Sequence, residues 1–387
     1  MTRHGAVWAV LLACAALVVL AGGLGLATGA GAPRGASTPG VREARYWSAV
    51  GDGYVRCALC PRRCVVPPGG RGYCGVRENR DGVYYTLTYG NPCAVHVDPI
   101  EKKPFYHFLP GTTAFSIATA GCNLDCKFCQ NWQISQARPE QLRSYDLPPA
   151  KLVQAAVESG APSIAYTYSE PTIFYEYMFD CAKIARDRGL RNVYHSNGFI
   201  NEEPLRELCR YLDAANIDLK GMSEEYYSDM TAGSLEPVLR TLRVLKEEGV
   251  HVEITTLVVP GRNDDPDMLR RECEWIHDNL GPDVPLHFSR FHPQHRLQDL
   301  PPTPIETLDR ARSIALEAGL RYVYIGNVPG HEAANTVCPS CGSPLIERIG
   351  YSVSVTGLEG GKCGVCGEPI AGVFGGQVAV DSGGAVN

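Results

Sequence analysis

Beyond residue 112 the chain alternates short apolar runs with longer amphipathic stretches. Strand-like runs occupy 115–120, 163–168, 192–195, 214–219, 250–259, 286–291 and 322–325. Between them, apolar residues recur at helical spacing over 150–158, 173–188, 203–211, 236–248, 266–279 and 305–318. Gly160, Gly189 and Gly249 stand where three of these helices should close. Repeated strand–helix units fold into a parallel sheet with right-handed crossovers, either an open sheet or a barrel. In both, reactive groups gather at the carboxyl ends of the strands. Polar residues stand at those ends: Tyr168-Ser169-Glu170-Pro171, Ser196-Asn197-Gly198, Asp218-Leu219-Lys220, Asn263-Asp264 and His292. Asp218 and Lys220 are two apart, hence on one side of a strand. Asn263 and Asp264 also read as helix caps.

The first strand runs into Gly121-Cys122-Asn123-Leu124-Asp125-Cys126-Lys127-Phe128-Cys129-Gln130-Asn131-Trp132, with cysteines spaced C-x3-C-x2-C. Structural zinc takes four ligands, whereas three thiolates in a tight loop hold a four-iron cluster and leave one iron open. Two further cysteine sets flank the repeating units. Cys57, Cys60, Cys64 and Cys74 lie in a Gly/Pro-rich knuckle that suits either zinc or an auxiliary Fe–S cluster, beside Arg62, Arg63 and Arg71. Cys338, Cys341, Cys363 and Cys366 form paired C-x2-C knuckles, the pattern of a zinc-ribbon-like module.

Cys122, Cys126 and Cys129, with Phe128 before the last, resemble the signature of radical S-adenosylmethionine (SAM) enzymes. The longer string through Trp132 resembles the radical SAM member of the AmmeMemoRadiSam system, related to pyruvate formate-lyase activating enzymes, and the similarity runs from about Arg42 to Phe374. The resemblance implies a partial (β/α)6 barrel, a [4Fe-4S] cluster on Cys122, Cys126 and Cys129, and SAM on its open iron. It places Phe128 and Glu170 at the SAM, Glu170 on its amino group. Ser196 and Asn197 fall near the ribose and His292 on the adenosine side, while His195 stands where the relatives carry an acid. Lys220 would pair with the SAM carboxylate, and Asp218 would face a hydroxyl or cation. It further implies an electron donor such as flavodoxin or ferredoxin, and other AmmeMemoRadiSam proteins as partners. A glycyl-radical-enzyme activator is the alternative, and a noncatalytic metal-binding or electron-transfer protein the second. Residues 98–111, also similar to that family, read as a segment lining the active-site mouth or as a packed turn.

Composition narrows the partners. The net charge of −6, without a basic block, gives no nucleic-acid footprint, and a small molecule or protein substrate is expected. Most of the sixteen cysteines fall in clusters, which reads as metal ligation in a reducing compartment. Residues 6–30 form an uncharged run long enough to span a bilayer. Either it is a signal peptide cleaved at Ala30-Gly31-Ala32, or it is an uncleaved anchor. Arg34, Arg42 and Arg45 outnumber Arg3 plus the amino terminus, so an anchor with a cytoplasmic catalytic domain is expected. The expected organisation is an anchor and linker over 1–40, a Cys-rich region over 41–111, a barrel over 112–330, a four-cysteine module over 331–374 and a flexible tail over 375–387.

Overall fold

The computed structural model describes residues 40–375. The apolar run 6–30 and the tail from 376 lie outside the described residues, so the anchor, signal-peptide and flexible-tail expectations fall there too. Among the described residues no helix is long and apolar enough to cross a membrane.

The main sheet holds eight strands: β1 (Ala94–Pro99), β2 (Thr113–Ala118), β3 (Ser163–Tyr166), β4 (Arg191–Ser196), β5 (Ala214–Asp218), β6 (His251–Val258), β7 (Leu286–Arg290) and β8 (Val323–Gly326). β1 is antiparallel to β2, and β2 through β8 run parallel. Six helices make the crossovers: α1 (Pro149–Glu158), α2 (Tyr175–Asp187), α3 (Glu202–Cys209), α4 (Glu236–Glu247), α5 (Pro266–Leu280) and α6 (Ile305–Glu317).

Spatial order equals chain order, so every right-handed crossover advances the sheet in one direction and lays its helix on one face. Neighbouring helices accordingly pack on each other, α1 on α2, α3 on α4, α4 on α5 and α5 on α6. No reversal of strand order makes the switch point of a doubly wound sheet. Of the two architectures, the order favours a sheet curled around an interior. It comprises six strand–helix units and a seventh parallel strand, and β1 and β8 remain unpaired edges.

Residues 100–109 fill that interior. Ile100, Phe105, Phe108 and Leu109 pack on Ala114, Ala165, Val193 and Ala214, one from each of β2 to β5. Small side chains at those strand positions leave room for the two rings, and burying each ring stabilises by about 1.5–3 kcal/mol. The backbone N–H groups of Tyr106 and His107 donate to the Glu253 carboxylate at 3.0 and 2.8 Å. Burial alone would raise the Glu253 carboxyl, but His251 and His287 hold it well below the usual range. Only Lys102, Lys103 and Pro104 of this segment reach the cavity described below. The segment is therefore mainly interior filling, and its expected place at the mouth holds for three residues.

Two small modules flank the sheet. On the N-terminal side, three-stranded antiparallel sheets join Gly40–Glu43, Val83–Tyr89 and Arg77–Arg80, and Trp47–Ala49, Val55–Cys57 and Val65–Val66. Arg77 ties them to α2 through a 2.7 Å ion pair with Glu176, both side chains 1% exposed. After β8, Thr336–Val337, Pro344–Ile349 and Ser352–Val355 form a third small sheet. Its Leu345 and Ile346 pack with Cys338, Cys363 and Ile370 against Tyr322 and Tyr324 at β8.

Candidate active site

A cavity of about 450 Å³ opens at the carboxyl ends of the parallel strands. Eight of the residues expected from the sequence line it together: Cys122, Cys126, Phe128, Cys129, Ser196, Asn197, Asp218 and Lys220. Three segments supply them: the loop after β2, the end of β4, and the end of β5 with the turn beyond. Three thiols and no fourth cysteine lie on its wall, a donor set that suits a four-iron cluster with one open iron.

The loop is held from several sides. Leu124 N–H donates to Cys122 Sγ at 3.4 Å, and Ser135 Oγ lies 3.2 Å from Cys129 Sγ. Asn123 donates to the Phe199 carbonyl at 2.7 Å and accepts from Asn197 at 2.9 Å. Gly121 has φ +96°, and a Cβ there would lie 2.7 Å from the Cys74 carbonyl, so only glycine fits both the turn and the close approach. Burial pushes the Cys126 thiol up to about 12 although Lys220 draws it down. Thiols in such a place ionise when a metal centre takes over from the proton.

Asp218 and Lys220 form a 2.9 Å ion pair on the wall. Burial would raise the Asp218 carboxyl, but Lys220 and then His195 override it and hold it below the ordinary carboxylate range. His195 Nε2 lies 3.3 Å from Asp218, so the histidine at the position where an acid was expected belongs to this pair's shell.

Two expected residues lie elsewhere. Glu170 is fully buried and absent from the cavity wall. It accepts the N–H of Thr172 at 2.9 Å, the hydroxyl of Ser196 at 2.7 Å and the N–H of Asn197 at 2.9 Å. Its oxygens accept from the turn that presents Ser196 and Asn197. His292 is exposed, two residues beyond β7, and is not on the wall, whereas Ser289, inside the strand, is.

Other residues were missed. A short helix, Glu224–Thr231, receives the N–H groups of Asp125 and Lys127 on the carbonyls of Thr231 and Met230, both at 2.9 Å. Its signal was Ser223 ahead of two glutamates, an N-cap with acids in the first turn. Tyr168 lines the cavity with φ +64°. The backbone bends there as glycine would allow. The tyrosine is held in this bend by Asn131 donating to its carbonyl at 2.8 Å, by its hydroxyl on Asp98, and by Lys103 lying 4.0 Å from its ring centre. Tyr351 reaches the same cavity from the C-terminal module.

The sequence profile described as the radical SAM superfamily matches residues 116–272. The chain carries a radical SAM domain. Such a domain implies a [4Fe-4S] cluster and SAM, which fits the three thiols on the wall. An uncharacterized protein of Methanocaldococcus jannaschii is 48% identical over 332 residues, covering 85% of this chain and 99% of that protein. The pyruvate formate-lyase-activating enzyme of Listeria monocytogenes is 22% identical over 171 residues, 42% of this chain and 68% of the relative. A solved radical SAM methyltransferase from Sphaerobacter thermophilus has a TM-score of 0.45 and 14% identity, covering 79% of this chain and 81% of that one.

Outside the cavity, two sets of four cysteines show contrasting arrangements. In the C-terminal module, the four sulfurs of Cys338, Cys341, Cys363 and Cys366 lie within 4.8 Å of one another. The pairs Cys338–Cys366 and Cys341–Cys363 stand at 3.6 and 3.7 Å. A tetrahedron with metal–sulfur bonds of about 2.3 Å has edges of about 3.8 Å, so one metal ion fits. On the N-terminal side, Cys57, Cys60, Cys64 and Cys74 share one neighbourhood, but two of the three arginines noted in the sequence bond elsewhere. Arg62 donates to the Asn123 and Ala232 carbonyls, and Arg71 pairs with Glu78 and Glu140. The guanidinium beside these thiols is the buried Arg77.

Proposed function

We propose that this chain binds one SAM in the 450 Å³ cavity and uses it to abstract hydrogen from a small-molecule or protein substrate, as the radical SAM member of the AmmeMemoRadiSam system. The observation that carries this reading is the convergence of Cys122, Cys126 and Cys129 with Ser196, Asn197, Asp218 and Lys220 on one wall. The cavity is of the size that holds a ligand such as SAM.

When bound, the cluster and SAM supply reductive cleavage to methionine and a 5′-deoxyadenosyl radical. The chain's own residues bind and orient. Lys220 takes the SAM carboxylate as a charge-assisted partner, and Asp218 faces a hydroxyl or the amino group. Ser196 and Asn197 lie on the ribose side, with Glu170 positioning both. Phe128, 4% exposed, closes the wall and excludes water. Lys102, Lys103, Tyr168 and Tyr351 face the space left for a substrate. A zinc ion in the C-terminal module and an electron donor of the flavodoxin or ferredoxin class complete the reading, with a catalytic domain working in the cytoplasm.

Anaerobic reconstitution with iron and sulfide, then dithionite and SAM, tests it through release of 5′-deoxyadenosine. An intact cluster that yields none would leave only a noncatalytic metal-binding role. A glycyl radical signal appearing in a partner protein would instead favour an activating enzyme, the activity named for relatives such as that of Listeria monocytogenes.

A further inference from the structure

Cys57, Cys60, Cys64 and Cys74 share one neighbourhood, and Cys64 Sγ accepts the backbone N–H of Tyr73 at 3.4 Å. Leu124 N–H donates to Cys122 Sγ in the same way in the SAM-site loop, also at 3.4 Å. Amides turned onto sulfur stabilise thiolate, the form that ligates metal.

Arg77 is a second, independent sign. Its side chain is 1% exposed and stands beside Cys57 and Cys74. Its terminal nitrogens are satisfied by Glu176 at 2.7 Å and the Arg45 carbonyl at 3.1 Å. Its Nε is buried with no partner. An unmet buried donor is destabilising, so an acceptor beside these thiols, a thiolate or an inorganic sulfide, would complete it.

Spacing separates the two metal classes. Among the described residues, the C-terminal four are the one group of three or more ligands whose donor atoms converge within 4.8 Å. Neither the knuckle cysteines nor Cys122, Cys126 and Cys129 form such a group. A cluster of several irons and sulfides holds its thiolates wider than a single ion does. We propose that Cys57, Cys60, Cys64 and Cys74 hold a second iron–sulfur cluster, ligated wholly by cysteine and packed against the loop of the first.

The two sites are immediate neighbours. Arg62 Nε donates to the Asn123 carbonyl at 2.9 Å. Cys74 and Cys122 both line one cavity of about 540 Å³ between knuckle and loop, and Cys122 borders the SAM-site cavity as well. Two reduced clusters so placed would interact magnetically.

The full chain, reconstituted anaerobically with iron and sulfide, tests this. A Cys122→Ala, Cys126→Ala, Cys129→Ala variant should keep iron and acid-labile sulfide at about half the wild-type content, all of it on the remaining four-cysteine shell. Its reduced electron paramagnetic resonance signal should not respond to SAM. Loss of all iron from this variant, or zinc in its place, overturns the proposal. A Cys60→Ser, Cys64→Ser variant guards against misfolding. It should lose the other half of the iron while its signal still shifts on SAM addition, and an iron content equal to wild type overturns the proposal. Reduced wild type should show spin–spin broadening that is absent from both variants.

Discussion

The carboxylate of Glu170 accepts the backbone N–H of Asn197 at 2.9 Å, and Asn197 passes the connection on by donating to Asn123 at 2.9 Å and toward Cys122 Sγ at 3.7 Å. A buried acid after β3 thus fixes a turn after β4, and that turn braces the cysteine loop after β2. Glu170→Ala removes three acceptor contacts and leaves buried donors unmet, a loss on the order of 3 kcal/mol. Glu170→Gln keeps the shape but turns an amide toward donors, so it should lie between. Thermal melting should rank the variants wild type, Gln, Ala. Bound SAM, measured at a temperature where all three are folded, should weaken in the same order. A Glu170→Ala protein with unchanged melting and abolished SAM binding would mean direct contact with SAM instead.

Lys220 is the cation of the cavity wall best placed for a carboxylate. Lys220→Met keeps the length of the side chain and removes its charge. A charge-assisted hydrogen bond contributes about 1.5–3 kcal/mol, so SAM affinity should fall by about 10- to 100-fold. Isothermal titration into the reconstituted protein reads the change. Asp218 loses its main partner in this variant, so a pH titration should show weaker binding as the freed carboxyl rises toward its ordinary range. Equal SAM affinity in variant and wild type would remove Lys220 from the binding site.

The C-terminal module draws its hydrophobic packing from few residues. Cys338 and Cys363 are buried in its small core against Tyr322 and Tyr324, and metal binding at such a site is folding free energy. Cys363→Ser should lose one zinc per chain while retaining the visible absorption of the iron–sulfur centre. Limited proteolysis should then cut within 338–366, where the wild type resists. Iron in this site, by metal analysis of the wild type, would refute zinc.

The seven parallel strands of the main sheet were legible because they are largely buried and read as plain apolar runs, with boundaries within a few residues of those found; antiparallel β1, partly exposed, carries no such run. Local chemistry was legible where position alone decides it, as for Asp218 and Lys220 on one side of β5. The direction of the Glu170 carboxylate was not legible, because a strand-end acid looks the same whether it faces the cavity or turns back beneath it; the hydrogen bonds that fix it come from β4 and the turn beyond, far away in the chain. The place of His292 was not legible because β7 ends at Arg290, two residues before it. Tyr168 in a left-handed turn carries no local signal, since its restraints come from Asp98, Lys103 and Asn131. The filling segment was ambiguous for a related reason. Its mixed charges and rings suit a surface, and only the small residues on four separate strands make room for Phe105 and Phe108 inside.

Glu272 on α5 supplies a test of pH dependence apart from the metal sites. Its carboxyl is 1% exposed, and burial, partly opposed by Thr256, raises it to about 8. The hydrogen bonding agrees. The Thr256 hydroxyl has one hydrogen, which it donates to the Leu219 carbonyl at 2.8 Å. Its contact with Glu272 is therefore served when the carboxyl keeps its proton and donates. An acid raised on folding binds its proton more tightly in the native state, so stability falls as pH rises from the ordinary value of 4.5 to about 8. Glu272→Gln can still donate to Thr256 and has no charge to bury. Below pH 4 the variant and wild type should melt alike, and the variant should gain steadily across the window. Above pH 8 the advantage should reach on the order of 3 kcal/mol, local relaxation keeping it below the full 1.36 kcal/mol per unit. Urea unfolding of the two proteins across pH 4 to 9 measures the difference, and parallel curves would show that Glu272 is already ionised in the native fold.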